Sequence, residues 1–123
     1  MITGVENARY EATLRLAVHH VNGQEQEVEA ILDTGFSGSL ILPPAVISAL
    51  GLPWRTRGTV ILANDSEDQF DIYAAVIRWD GTPHNILVEA AETDPLVGMA
   101  LLTGYDVYIQ AAEGGNVIIE ALP

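Results

Sequence analysis

The sequence predicts an all-β fold, a sandwich or closed barrel of short strands with one or two short helices. Two observations predict it: apolar residues alternate with polar ones over short runs, and strong turn signals separate these runs at regular intervals. The chain has 123 residues, of which 49% are hydrophobic. That length suits one domain with a core of its own, so we expect a single domain over residues 1–123.

The first predicted element is a hairpin. Residues 10–21 alternate, and they place Leu14, Leu16 and Val18 on one face of a half-buried strand. Asn22-Gly23 favours a two-residue turn because both positions tolerate a positive φ. The returning strand, residues 24–32, is then expected to end at Asp33.

A short strand and a short helix follow. The strand is predicted at residues 40–42. Pro43-Pro44 suits the first turn of a helix over residues 45–50, and Gly51 is placed for its C-terminal cap.

The second half of the chain repeats the pattern of strand and turn. Strands at 59–63 and 70–79 are joined by a polar, acidic link, which predicts a hairpin with an exposed tip. The remaining elements are a strand at 86–88 after the Asp80-Gly81 turn, an apolar segment at 96–98, a short helix at 99–102, and a hairpin of strands 107–111 and 117–122.

Composition limits the function classes. Seventeen acidic residues face five basic ones, for a formal net charge of −12, which disfavours binding to nucleic acid or to an anionic membrane. The absence of cysteine excludes a disulfide scaffold, a thiol nucleophile and a cysteine-ligated metal. The acidic run at 65–71 lacks the spacing of a calcium loop, so we predict no metal and no cofactor. Without a signal peptide or a membrane-spanning run, we expect a cytoplasmic protein.

One tripeptide, Asp33-Thr34-Gly35, stands out because it follows the apolar end of a predicted strand. An unpaired carboxylate in an apolar setting is unfavourable by several kcal/mol, so it normally finds a partner or shifts its pKa. Asp, Thr and Gly are also common in turns, and on that interpretation the chain is an unrelated β-barrel. The apolar residues on both sides favour a chemical role. The tripeptide occurs once in the chain.

The wider pattern resembles the retropepsin-like aspartic proteases, and in detail the small single-domain prokaryotic type. The segments that carry the resemblance are residues 31–38, 40–43, 95–102 and 114–120. The resemblance implies a retropepsin-like fold with a flap hairpin, and an aspartic endopeptidase that cleaves peptides or proteins. Such enzymes use two carboxylates. Because this chain has one motif, the resemblance implies a homodimer that pairs Asp33 with Asp33 of a second copy.

The resemblance also assigns roles to residues. Asp33 is the catalytic acid and base, Thr34 would hydrogen-bond across the dimer axis, and Gly35 would allow close approach of backbone and substrate. Gly98 matches the glycine that packs beside the catalytic loop. The residues expected to contact substrate, at the flap tip and in the cleft, are Ala63, Asn64, Asp65, Ser66 and Gly98.

The chain departs from retroviral members of the family at several positions. Phe36 follows the motif where those members have a small residue, and Met99 replaces an arginine used in a dimer ion pair. The predicted flap link contains no glycine. These departures leave an alternative open, a catalytically silent dimer of the same fold that binds peptides.

Overall fold

The computed structural model describes residues 1–123 as ten strands and two short helices, which confirms the all-β prediction. The strands are β1 (Ile2–Glu6), β2 (Ala12–His19), β3 (Glu25–Leu32), β4 (Leu40–Leu42), β5 (Trp54–Ile61), β6 (Glu67–Trp79), β7 (Thr82–Ala90), β8 (Leu96–Val97), β9 (Tyr105–Ile109) and β10 (Asn116–Ala121). The helices are α1 (Pro44–Leu50) and α2 (Met99–Leu102). Neither helix is long and apolar enough to cross a membrane.

All ten strands belong to one sheet, in the order β5-β6-β7-β4-β8-β3-β2-β1-β10-β9. A further pairing of β6 with β2 joins six of these strands in a ring. The apolar side chains that face inward form a cluster of 18 buried residues, with Leu16, Leu40 and Trp79 among the largest. This core fixes the strand ends from which the candidate site is built.

Local turn chemistry predicted several elements correctly. A turn joins β2 to β3 as predicted, and Gly23 has φ +88° there. The predicted two-residue turn was wrong, however, because Asn22 does not adopt a positive φ and residues 20–24 separate the two strands. Helix α1 begins at Pro44, and Gly51 caps it in the left-handed conformation at φ +67°. The Gly51 N–H donates to the carbonyl of Ser48. Each of these positions follows from a residue that fits a special backbone conformation, so the sequence alone is enough to locate it.

The predicted strand bounds were wrong by several residues in the β5–β6 hairpin and in β7, and by one or two residues in β9 and β10. The β5–β6 hairpin is longer than predicted, because β5 begins at Trp54 and β6 at Glu67. The added residues, 54–58 of β5 and 67–69 of β6, are almost all exposed, so their sequence carries no alternation of apolar and polar residues. Strand β7 likewise begins at Thr82, before its first apolar residue in the core. Strand β1 was not predicted at all.

The order of the central strands creates the candidate site. Strand β8 lies between β3 and β4, parallel to β3 and antiparallel to β4. The chain that leaves β3 must therefore pass around the end of β8 before it returns as β4. Asp33-Thr34-Gly35 lies in this crossing loop, residues 33–39.

Candidate active site

Strand β8 anchors the entry to the crossing loop. The Asp33 N–H donates to the carbonyl of Val97 at 2.9 Å, and the Ile31 N–H donates to the carbonyl of Pro95 at 2.9 Å. Val97 is fully buried. The backbone of Asp33 is thus fixed against a core strand before the loop begins.

The segment that follows β8 holds the rest of the loop. Gly98 donates its N–H to the carbonyl of Ser39 at 3.0 Å, and Met99 donates to that of Phe36 at 2.8 Å. Ala100 donates to the carbonyl of Gly38 at 3.1 Å. These hydrogen bonds pair loop carbonyls with the start of α2, which restricts the loop to one shape.

The structure brings Gly98 directly against the loop. Gly98 is buried, and a Cβ at this position would collide with the carbonyl oxygen of Gly38 and with the ring and carbonyl of Phe36. Only glycine fits there without a shift of the backbone. Gly98 therefore acts through packing within this chain, and its predicted contact with substrate stays a prediction.

Asp33 is half-buried, less enclosed than the sequence led us to expect, because the loop turns outward directly after it. Its Oδ1 accepts the Gly35 N–H at 2.9 Å, and its carbonyl accepts the Phe36 N–H at 3.1 Å. Thr34 and Gly35 are exposed. A Cβ at Gly35 would meet one atom within 4 Å, Asp33 Oδ1 at 3.3 Å, so the space beyond this glycine is open.

A cleft of about 890 Å³ opens between the crossing loop and the β5–β6 hairpin. We call it the cleft. Its walls are the loop residues Gly35, Phe36 and Ser37, the segment with Ile41 and Pro44, the hairpin stem residues Arg57, Thr59, Val60 and 68–71, and the end of β7 at residues 89–92. No group of three or more His, Cys, Asp or Glu side chains lies close enough together to hold a metal ion.

The tip of the β5–β6 hairpin does not line this cleft. Ala63, Asn64, Asp65 and Ser66 are all exposed, and Asp65 adopts φ +63°. The Asn64 side-chain oxygen accepts the Ser66 N–H at 3.1 Å, which closes the turn. Contact of these four residues with substrate remains a prediction. The residues that face the cleft lie in the hairpin stem, which sequence reasoning did not identify.

An ion pair crosses the hairpin stem. Arg57 Nε lies 3.4 Å from Asp71 Oδ1, and the same oxygen accepts the indole N–H of Trp54 at 3.1 Å. The pair is largely exposed, so it stabilises the fold by about 0–1 kcal/mol at most. Because the two charges are opposite and adjacent, the pair adds little net charge to the cleft.

Glu89 is the other residue that the sequence did not reveal. It lies on β7 beside Ile41 of β4, and its Oε2 occupies the space above Gly38, against the Phe36 ring. Burial raises the pKa of the Glu89 carboxyl. The contact depends on the parallel pairing of β4 with β7, strands far apart in the sequence, so no local pattern announces it.

Comparison with solved structures shows that the chain has a retropepsin-like fold. The chain is similar to EIAV protease complexed with the inhibitor HBY-793, with a TM-score of 0.59 and 20% identity over 78% of this chain and 88% of that one. It is also similar to a retropepsin-like aspartic protease from Rickettsia conorii, with a TM-score of 0.61 and 17% identity over 98% and 89%. No family model and no curated protein sequence matches the chain, so the likeness is one of fold.

Proposed function

We propose that this chain, which has the retropepsin-like fold, is an aspartic endopeptidase that works as a homodimer. One observation carries the proposal: a single Asp-Thr-Gly loop is held by hydrogen bonds to β8 and to the start of α2, and it borders an open cleft through Gly35. The fold supplies one such loop per chain. A two-fold dimer supplies the second, because an isologous interface places identical residues opposite one another.

The chemistry is the established one of aspartic proteases, carried over to Asp33 and its copy in the partner. The two carboxylates share a proton and hold a water between them. The ionised carboxylate takes a proton from the water while the water oxygen attacks the peptide carbonyl carbon. The protonated carboxyl group donates its proton to the carbonyl oxygen. Two carboxylates so close titrate as a coupled pair. Activity is therefore expected on the acid side of neutral pH, where the pair holds one proton.

The structure of the loop supports these roles. The backbone of Asp33 is fixed from both sides, so little reorganisation is needed when substrate binds. Thr34 is exposed and thus free to hydrogen-bond across the axis, and the open space at Gly35 suits a partner or a substrate. The β5–β6 hairpin forms the opposite wall of the cleft, where it would act as the flap that excludes water.

Strand β9 is the surface that we assign to the dimer. It is an edge strand of the sheet, paired with β10 alone. Val107 and Ile109 remain 37% and 39% exposed although they lie opposite the fully buried Ile119 and Val117. An exposed apolar edge invites pairing with another strand.

The free hydrogen-bonding groups of β9 fit this assignment. Gln110 donates to the carbonyl of Asn116, and Gly104 accepts from Leu122, so alternate residues of the segment face β10. In an antiparallel pair the residues between them direct their N–H and C=O groups away from β10. Val107 therefore offers its backbone to the open edge. A second copy of β9 in antiparallel orientation would satisfy these groups and continue the sheet across the two-fold axis.

Cleavage of an unstructured peptide tests the proposal. Asp33→Asn should lower kcat/KM by at least about 10³-fold, because a catalytic acid and base that contributes 10²–10⁴-fold is removed from both halves of the site. The molar mass in solution should stay that of a dimer. Equal cleavage by wild type and variant would contradict the assignment. Binding of peptide without cleavage, from acidic to neutral pH, would instead identify a silent binding module.

A further inference from the structure

We infer that the cleft selects substrates with an arginine or lysine side chain, and that Glu89 is the specificity-determining residue that binds it. This inference rests on the proposed function and names its substrate class. It concerns the subsite between the crossing loop and the end of β7, where Glu89 meets Gly38 and Phe36.

The position of Glu89 is fixed by the sheet. It lies opposite Ile72 of β6 and beside Ile41 of β4, so its backbone has a strand on each side. Its carboxylate extends over Gly38, where the missing side chain leaves the room that Oε2 occupies. Any larger residue at 38 would displace it. The carboxylate is therefore held at the wall of the cleft on the side of the Asp33 loop.

No cation of the chain neutralises this carboxylate. Glu89 takes part in none of the ion pairs of the chain, and burial raises the pKa of its carboxyl. The other charged residues that line the cleft are Arg57, Asp68, Asp71 and Glu92, so Arg57 is its one cationic residue. Arg57 is already paired with Asp71.

A cationic group of a bound ligand would supply the partner that the Glu89 carboxylate lacks. A carboxylate that has lost part of its water is unfavourable until it meets a positive group, and a charge-assisted hydrogen bond in such a place is roughly twice as strong as a neutral one. The Phe36 ring beside it would cover the aliphatic stem of an arginine or lysine. The net charge of −12 adds a long-range attraction for cationic peptides.

Peptide binding to the Asp33→Asn protein tests this inference without any need for cleavage. The probes are fluorescein-labelled, otherwise neutral decapeptides in which one arginine is moved through each position, each matched by a peptide with norleucine there. Affinities are measured at neutral pH for D33N, for D33N/E89Q and for D33N/E27Q. Glu27→Gln removes the same charge from an exposed position outside the cleft.

We expect at least one position where arginine binds about 10-fold more tightly than norleucine to D33N and to D33N/E27Q. In D33N/E89Q that ratio should fall to near one, while the norleucine peptide binds as before. An unchanged ratio in D33N/E89Q, an equal loss in D33N/E27Q, or no binding of any peptide would overturn the inference. Cleavage of the same peptides by the wild-type chain is scored separately. Selective binding without cleavage would refute the proteolytic function and leave the role of Glu89 standing.

Discussion

At the scale of single residues, two carboxylates near the cleft are held in different ways. Asp33 is fixed through its backbone, by hydrogen bonds to β8 and within its own loop. Glu89 is fixed by its strand, and its half-buried carboxylate lies over Gly38 beside the Phe36 ring. The first arrangement would orient the carboxylate that we propose to be catalytic, and the second keeps a carboxylate partly out of water. Partial burial of the Glu89 carboxylate should lower the stability of the folded protein at neutral pH.

Glu89→Gln should raise the stability of the ligand-free protein at neutral pH. Burial raises the pKa of Glu89 above its ordinary value of 4.5 in the folded state. The favourable contribution of the protonated carboxyl is complete below that ordinary value and is lost as pH rises through the folded-state pKa. The wild type is therefore the less stable protein at pH 7. We expect the variant to unfold about 1–2 °C higher there, a fraction of the shift that 1 kcal/mol produces.

Thermal unfolding at two pH values and one protein concentration measures this difference. It should vanish well below pH 4.5, where the wild-type carboxyl is protonated in both the folded and the unfolded chain. Glu27→Gln serves as the control, since Glu27 is exposed and its change should show no such gain. A Glu89→Gln protein less stable than wild type at pH 7 would contradict the account.

At the scale of elements, the sequence predicts best where local chemistry decides. The turn at Gly23 and the helix from Pro44 to the cap at Gly51 each need a residue with a special backbone preference. Strand β1 has no such signal, because its side chains alternate only over five residues, and its place is set by β2 and β10. The β5–β6 hairpin was predicted, but the starts of its strands were not, because residues 54–58 and 67–69 are almost all exposed and carry no alternation of apolar and polar side chains.

The proposed dimer strand gives the element-scale prediction. Val107→Pro should weaken dimerisation by about 30-fold or more, because proline removes an outward N–H from each of the two paired strands, at a cost of about 1 kcal/mol or more each. The pairing with β10 is spared, since Val107 directs its backbone away from that strand. Sedimentation over a range of concentrations measures the dimer dissociation constant.

Val107→Thr is the matched control for this experiment. It keeps the backbone N–H and the branched side chain that favours a strand, so dimerisation should persist. A Val107→Pro protein that dimerises as tightly as the wild type, with its secondary structure intact, would exclude β9 as the interface.

At the scale of the whole molecule, the site exists because distant segments meet. The Asp33 loop is held by residues 95–100, and Glu89 reaches Gly38 through the pairing of β4 with β7. The motif Asp33-Thr34-Gly35 was visible in the sequence because its residues are contiguous. The walls of the cleft were not visible in the sequence, because they come from four separate parts of the chain. Because the motif occurs once, its resemblance to aspartic proteases nevertheless predicts that the active site needs a second chain.

Mixed dimers test that central claim most directly. Wild-type and Asp33→Asn chains are combined in varied proportion at constant total concentration, left to exchange subunits, and assayed for peptide cleavage. If each active site needs Asp33 from both chains, activity falls as the square of the wild-type fraction, to about one quarter in an equal mixture. Activity that falls in simple proportion, to about one half in an equal mixture, would show that each chain acts alone and would contradict the shared dyad.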